Sequence, residues 1–281
     1  MTKVTILTDS SAYLPQEYVD RYGIVVLPMT LNWDGKSYRD GVDILPEAFY
    51  NRLDNSDTLP TTSQVTVGEY VTLLEDLVKS GRQVLMLPIS SGISGSYDSA
   101  TQAVKDYSPD QVQLVDTKLV SMALSFQVLA AARHAAEGGS LAECKQTALD
   151  AYGKIGVYFT VNTLKYLAAG GRINSARRLL GTALSIRPVL EIRDGKIELV
   201  ESVVTTKKAI ERMVTLVKEK TADKRPLRIS VFHAGIPETA QALQDRLVAE
   251  MQPEEAILSQ ISPVIGSHTG PKTISIAYMV G

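Results

Sequence analysis

The stretch Val84 to Tyr97 constrains the fold most. An apolar run of strand length, Val84-Leu85-Met86-Leu87, breaks at Pro88 into Ile89-Ser90-Ser91-Gly92-Ile93-Ser94-Gly95-Ser96. A helical pattern follows from Tyr97 to Val104. Strand, glycine/serine loop and helix in that order is the arrangement by which an open α/β sheet holds an anion at a helix N-terminus. Ile93 is the only large side chain in the loop before Tyr97, so a ligand can approach the backbone closely. The serine hydroxyls can donate hydrogen bonds and the loop has no charge, which suits receiving an oxygen-rich head group better than attacking one. A tight strand-to-helix connection with a serine cap accounts for the same residues. Both readings stand at this point.

The flanking sequence supplies the sheet. Val4 to Thr8 reads as a first strand ending in Asp9-Ser10-Ser11, a helix opens at Leu14-Pro15, and Ile24 to Met29 is a second strand. Leu31 to Tyr38 reads as a hairpin turning at Asp34-Gly35, and Leu45 to Leu53 as a helix with Pro46 in its first turn. Thr61-Thr62-Ser63 follows Pro60 and precedes a helix from Val67 to Ser80. These three hydroxyls are either a second head-group candidate or the cap of that helix. Gln111 to Asp116 is a further strand, and Val120 to Glu137 and Ser140 to Tyr152 are helices. Strands alternating with helices predict a mostly parallel sheet.

Beyond Gly153 the pattern changes. Strands are expected at Ile155 to Val161, Pro188 to Arg193, Lys196 to Val203, Leu227 to His233, Ala256 to Ile261 and Thr273 to Val280. Asp194-Gly195 joins one antiparallel pair. Helices are expected at Ser175 to Leu184, Lys207 to Thr221 and Ile236 to Met251, after a helical turn that ends at Gly170-Gly171-Arg172-Ile173. Ser262 to Pro271 reads as a loop. The 281 residues are comfortable for two domains, 1–152 as α/β and 153–281 as α+β with a mixed sheet.

Composition narrows the chemistry. A formal net charge of -2 gives no electrostatic case for nucleic acid or an anionic membrane surface. The single cysteine, Cys144, rules out an internal disulfide and a cysteine-based zinc site, and the three scattered histidines argue against a metal centre. No apolar run reaches the length of a membrane span, and the first residues are too polar for a signal peptide, so a cytoplasmic protein is expected. No G-x-S-x-G, Walker A, H-E-x-x-H or G-x-G-x-x-G motif is present. Arg172 follows two glycines, where it can bind an anion or tie the turn to nearby carbonyls. A Ser94, His268 and Asp9 or Asp116 triad can be assembled only on paper.

Seven stretches, taken together and in order, resemble the DegV family of bacterial fatty-acid-binding proteins. They are Thr8-Asp9-Ser10-Ser11 with Leu14-Pro15, Pro60 to Gln64, Ile89 to Tyr97, Val115-Asp116-Thr117, Gly170 to Ile173, Pro188-Val189-Leu190 before Asp194-Gly195-Lys196, and Pro263 to Pro271. The resemblance implies a two-domain α/β fold holding one long-chain fatty acid, such as palmitate, stearate or oleate, with its acyl chain buried. It places the carboxylate on Thr62 and Ser94, with Ser63, Gly95, Arg172 and His268 as a supporting polar network. It implies no cofactor, metal or catalytic residue of the chain's own. The implied role is a carrier presenting the fatty acid to a separate ATP-dependent kinase, which makes the acyl phosphate for phospholipid synthesis.

Two residue-level expectations accompany it. The segment Ala176 to Ile186 is one candidate wall for an acyl tunnel, or plain core. Val204 stands where many relatives carry arginine, diluting the basic cluster Lys207-Lys208 that is a candidate for kinase docking. The competing readings are a sensor of small carboxylates and a lipid hydrolase or acyltransferase using Ser94 and His268.

Overall fold

The computed structural model describes residues 4–181 and 186–281. β1 (Val4–Asp9) leads through a 3-10 turn at Ser10–Ala12 into α1 (Gln16–Tyr22), β2 (Val25–Leu27), the hairpin β3 (Thr30–Trp33) and β4 (Lys36–Arg39), and α2 (Pro46–Leu53). β5 (Thr61–Ser63), α3 (Val67–Lys79), β6 (Gln83–Leu87), α4 (Ser96–Ala103), β7 (Val112–Leu114), α5 (Ser121–Ala136) and α6 (Leu141–Tyr152) follow. The remainder begins with β8 (Ile155–Thr160), α7 (Lys165–Ala169) and a 3-10 helix at Asn174–Leu179. It continues through β9 (Arg187–Arg193), β10 (Lys196–Val203), α8 (Thr206–Thr221), β11 (Leu227–His233), α9 (Pro237–Met251), β12 (Glu255–Gln260), α10 (Pro263–Thr269) and β13 (Ile274–Val280).

The first sheet has strand order β2-β1-β6-β7, and every pairing in it is parallel. Its inner strands are buried along nearly their whole length because helices cover both faces. β1 is buried at every position, and Val84 to Leu87 of β6 are as well. A small antiparallel sheet, β4-β3-β5, lies beside it. The third sheet has order β10-β9-β8-β13-β11-β12, antiparallel except for the β11–β12 pair. This is the parallel-then-mixed α/β architecture the sequence pattern implies.

Helix α5 couples the two large sheets. It is rich in alanine and buried around most of its circumference. It packs on β1 on one side and on β8 and β13 on the other. The largest hydrophobic core accordingly runs from Leu85 and Phe126 through to Val157, Phe232 and Ala277.

Three expectations need correction. Thr61 to Ser63 form an edge strand paired to β3 and do not cap α3. Thr66 caps it, in a reciprocal capping box with Glu69. Ser262 to Pro271 is mostly helix. Ser262 Oγ accepts from the Ile265 N–H at 3.3 Å and Pro263 occupies the first turn, a helix start hidden by the glycines. Gly266 sits mid-helix because a Cβ there would lie 2.4 Å from Tyr50 Oη and 2.9 Å from Phe49 Cε1. The helix expected from Ser175 to Leu184 is a 3-10 helix that ends at Leu179, where Leu180 turns extended. Residues 182–185 lie outside the described residues.

Candidate functional site: a polar cleft over an apolar cavity

The serine/glycine loop is held from several sides. Asp9, at the end of β1, accepts from the Ile89 N–H at 2.8 Å and from both the N–H and the hydroxyl of Ser11. Burial raises the Asp9 pKa against those hydrogen bonds. Asp116 accepts from the Ser91 N–H at 3.1 Å and its hydroxyl at 2.6 Å. Ser90 Oγ donates to Gly195 O at 2.8 Å, tying the loop to the β9–β10 turn. Gly92 permits that approach, since a Cβ there would lie 2.5 Å from Gly195 O. Ser90, Ser91 and Asp9 therefore build the loop and do not face a ligand. Asp9 thus caps the 3-10 turn at Ser10–Ala12 and braces the serine/glycine loop, while Ser10 Oγ accepts from the Met29 N–H at 3.0 Å.

Ser94 is the loop hydroxyl that lines the cleft. Its Oγ accepts from the Ser96 N–H at 3.3 Å and lies 3.1 Å from Ser96 Oγ. Thr62, Ser63, Ser94, Gly95, Arg172 and His268 all line one polar cleft of about 360 Å³. β5, the loop, the segment after α7 and helix α10 each contribute to it. A Cβ at Gly95 would lie 2.1 Å from Gln64 Oε1 and would push that amide off its hydrogen bond to Ser99 Oγ. Ser63 Oγ accepts from Asn32 Nδ2 at 3.0 Å.

His268 and Thr62 form the cleft's central pair, with Nε2 and Oγ1 2.8 Å apart. His268 Nδ1 is buried without a partner. It packs against Gly170, where a Cβ would lie 2.1 Å away. A buried N–H without an acceptor costs more than an unused lone pair, so Nε2 carries the ring proton and donates to Thr62. The Thr62 hydroxyl proton then points elsewhere and can serve a ligand. Burial, with the nearby Arg172 guanidinium second, pushes the His268 pKa down to about 4, so the ring is neutral. Arg172 Nε donates to Ile93 O at 3.1 Å and Nη1 donates to Gly170 O. It forms no ion pair among the described residues.

The polar cleft adjoins a narrow apolar cavity of about 50 Å³, and Ile93, Arg172, Ile265 and His268 line both. Its floor is the central part of the mixed sheet. Ser275 of β13 pairs with Phe159 of β8 and Phe232 of β11, and all three line the cavity. A small residue between two phenylalanines leaves a trough along β13. Val120 and Ser121 at the start of α5 line it as well. The cleft falls within the size range of small-molecule sites, whereas the apolar cavity is narrow.

The DegV family profile, described as "Uncharacterised protein, DegV family", matches residues 3–280. This chain belongs to the DegV family. It is 32% identical over 278 residues to a DegV domain-containing protein of Caldanaerobacter subterraneus, covering 99% of each. A DegV family protein from Thermus thermophilus, described for fatty acid binding, superposes with a TM-score of 0.94 at 31% identity over 100% of both chains. A stearic acid-binding protein from Eubacterium ventriosum gives a TM-score of 0.89 at 25% identity, over 100% of this chain and 98% of that one.

Within this DegV chain the triad is not assembled. Ser94 bonds to Ser96, His268 to Thr62, and neither Asp9 nor Asp116 reaches His268 among the described hydrogen bonds. Of the two readings of Ala176 to Ile186, tunnel wall or plain core, the described residues fit plain core, and residues 182–185 lie outside the described residues. Ala176 packs with Leu167, Leu190 and Leu199 in a separate core, and the described part of the segment lines neither space. Sequence reasoning missed the cavity floor, Phe159, Phe232 and Ser275. The strands carrying them were found, but which face looks onto a cavity depends on α5 crossing over them. No group of metal ligands occurs among the described residues, and no helix there is long and apolar enough to cross a membrane.

Proposed function

We propose that this chain is a fatty-acid carrier. It binds one long-chain fatty acid with the acyl chain in the apolar cavity and the carboxylate on the Thr62 and Ser94 hydroxyls. Ser63, Gly95, Arg172 and His268 shape the head-group cleft. The observation that carries this reading is the junction: a polar cleft with hydroxyl donors adjoins an apolar cavity, and four residues line both. The fatty-acid binding described for the Thermus and Eubacterium relatives supports it. In this reading the ligand lies where two domains, 1–152 and 153–281, meet.

The energetics are consistent with a carrier. Each buried CH₂ contributes ~0.8 kcal/mol, so a chain of ~16 carbons binds without a strong clamp on its carboxylate. Neutral hydroxyl donors leave that carboxylate open to phosphorylation by a separate ATP-dependent kinase, the step that feeds phospholipid synthesis. Native mass spectrometry of the purified chain, followed by lipid extraction, tests the first half. One fatty acid per chain is expected, with retention weakened in the Thr62→Ala/Ser94→Ala double variant. An empty protein that takes up no added long-chain fatty acid refutes the reading. Acyl-phosphate formation when the loaded chain meets a purified fatty acid kinase tests the second half.

A further inference from the structure

The β9–β10 hairpin reaches past the sheet that carries it. β9 runs to Arg193, but its pairing with β8 stops at Tyr158 and Glu191. Beyond that point lies the tip, Ile192 to Ile197, in which Ile192 and Ile197 are cross-strand partners. Both isoleucines line the apolar cavity, and neither lines the polar cleft. The hairpin therefore contributes to the cavity wall through the part of it that β8 does not hold.

Ser90 ties the tip down. It is fully buried, and its Oγ donates to Gly195 O in the turn at 2.8 Å. The same Oγ accepts from the Gly92 N–H at 3.1 Å, and the Ser90 carbonyl accepts from the N–H groups of Ile93 and Ser94, each at 3.1 Å. The contact has no slack. A Cβ on Gly92 would lie 2.5 Å from Gly195 O and 3.1 Å from Lys196 Cγ, and one on Gly195 would lie 2.6 Å from Ser90 Oγ. One residue thus holds the loop that presents Ser94 on one side and the tip that presents Ile192 and Ile197 on the other. Gly195 is buried, so without the Ser90 hydroxyl its carbonyl loses a donor, and the tip recovers one by moving toward water.

We propose that Ser90 is a positioning residue for the acyl chain. By holding the hairpin tip it places Ile192 and Ile197, and through them it sets how firmly the cavity grips the part of a fatty acid that lies beyond the cleft. The inference rests on the fatty-acid reading above and adds the residue that couples the head-group loop to the acyl wall. Removing the Ser90 hydroxyl leaves its carbonyl, and with it the backbone bond to Ser94, in place. The head-group contacts are then preserved while the acyl wall retreats, so the loss of affinity grows with chain length.

Dissociation constants of the full chain for a saturated series from decanoate to stearate test it. Ser90→Ala is expected to weaken stearate about tenfold and decanoate less than about twofold. Gly92→Ala pushes the tip off the loop with the Ser90 hydroxyl intact and is expected to give the same length dependence; it carries the test alone if Ser90→Ala does not fold. Ile197→Ala should weaken stearate as well, and adding Ser90→Ala to it should cost little more, since the two act through one wall. Uniform weakening at every chain length overturns the proposal, because it marks Ser90 as a brace of the loop alone. Unchanged stearate binding in the folded variants, or full additivity with Ile197→Ala, overturns it equally. A wild-type chain that binds no fatty acid strikes the parent reading and this one together, whereas wild-type binding without the length-dependent loss strikes only this one.

Discussion

Gly170→Ala isolates the support His268 gives to Thr62 without touching a residue that would contact the ligand. The new Cβ would lie 2.1 Å from His268 Nδ1, 3.0 Å from Cε1 and 3.2 Å from Cγ. Carbon contacts are comfortable at about 3.5–4.0 Å, so the ring must withdraw by more than about 1 Å. The 2.8 Å link to Thr62 Oγ1 then passes the limit of a hydrogen bond. Losing one such bond costs about 0.5–1.5 kcal/mol, so fatty-acid retention should weaken roughly two- to twelvefold. The backbone tolerates the change, because Gly170 has φ -78° and ψ -8°, ordinary helical values. Alanine also restricts the unfolded chain, which offsets about 0.4–1 kcal/mol of the packing cost. The melting temperature should therefore move far less than the affinity suggests. Ligand dissociation constants for the wild type, Gly170→Ala and His268→Gln, with the imidazole nitrogens followed by NMR, form the assay. In the wild type the proton should sit on Nε2. If Gly170→Ala displaces the ring yet binds fatty acid with unchanged affinity, His268 does not position Thr62 and the relay argument fails.

Two buried titratable groups at opposite ends of α10 predict opposing pH effects on stability. His268 is pushed down to about 4 from an ordinary 6.5, so the unfolded chain binds more protons between those values. Its contribution, up to about 3 kcal/mol, is present above pH 6.5 and lost as pH falls toward 4. Asp40 is 1% exposed, accepts from the Val264 N–H at 3.2 Å and leaves Oδ2 unpaired, and burial pushes it up to about 7 from 3.8. The folded chain holds that proton longer, so a contribution of up to about 4 kcal/mol is present below pH 3.8 and lost as pH rises toward 7. Asp9 shifts in the same direction as Asp40. Denaturant titrations between pH 4 and 6.5 should show Asp40→Asn losing stability as pH falls relative to the wild type, and gaining most over it near neutrality. His268→Gln should show the reverse slope; parallel profiles for all three chains would contradict both assignments.

The fold was legible because its signals are local. The apolar run Val84 to Leu87 and the β-branched, fully buried stretch Val4 to Thr8 mark buried parallel strands, and Asp34-Gly35 and Asp194-Gly195 mark hairpins. Helix α10 was missed because its glycine answers to Tyr50 and Phe49, more than 200 residues away in sequence, and not to its own turn. Its serine and proline start was visible in the sequence. The polar residues of the cleft were accessible through motifs, since each hydroxyl or glycine sits in a short pattern. The floor of the apolar cavity has no such pattern. Ser275 reads like any strand serine until Phe159 and Phe232 are set on either side of it by strand register.

The same distinction between braced and available groups argues for presentation over tight capture. Arg172 lies beside the cleft, but its Nε and Nη1 are committed to the carbonyls of Ile93 and Gly170. A forked arginine aimed at a carboxylate would bind it bidentately and cover both oxygens. Held by backbone carbonyls, Arg172 instead lends positive charge and fixes the loop through Ile93, a residue that lines both spaces. Its proximity also helps keep His268 neutral, which preserves the Nε2 donor to Thr62 and the outward hydroxyl proton. A carboxylate at Thr62 and Ser94 would thus be held by weak neutral donors next to an oriented charge. Its affinity would come chiefly from the acyl chain, so shortening the chain should lower binding steeply, while the head group stays exchangeable.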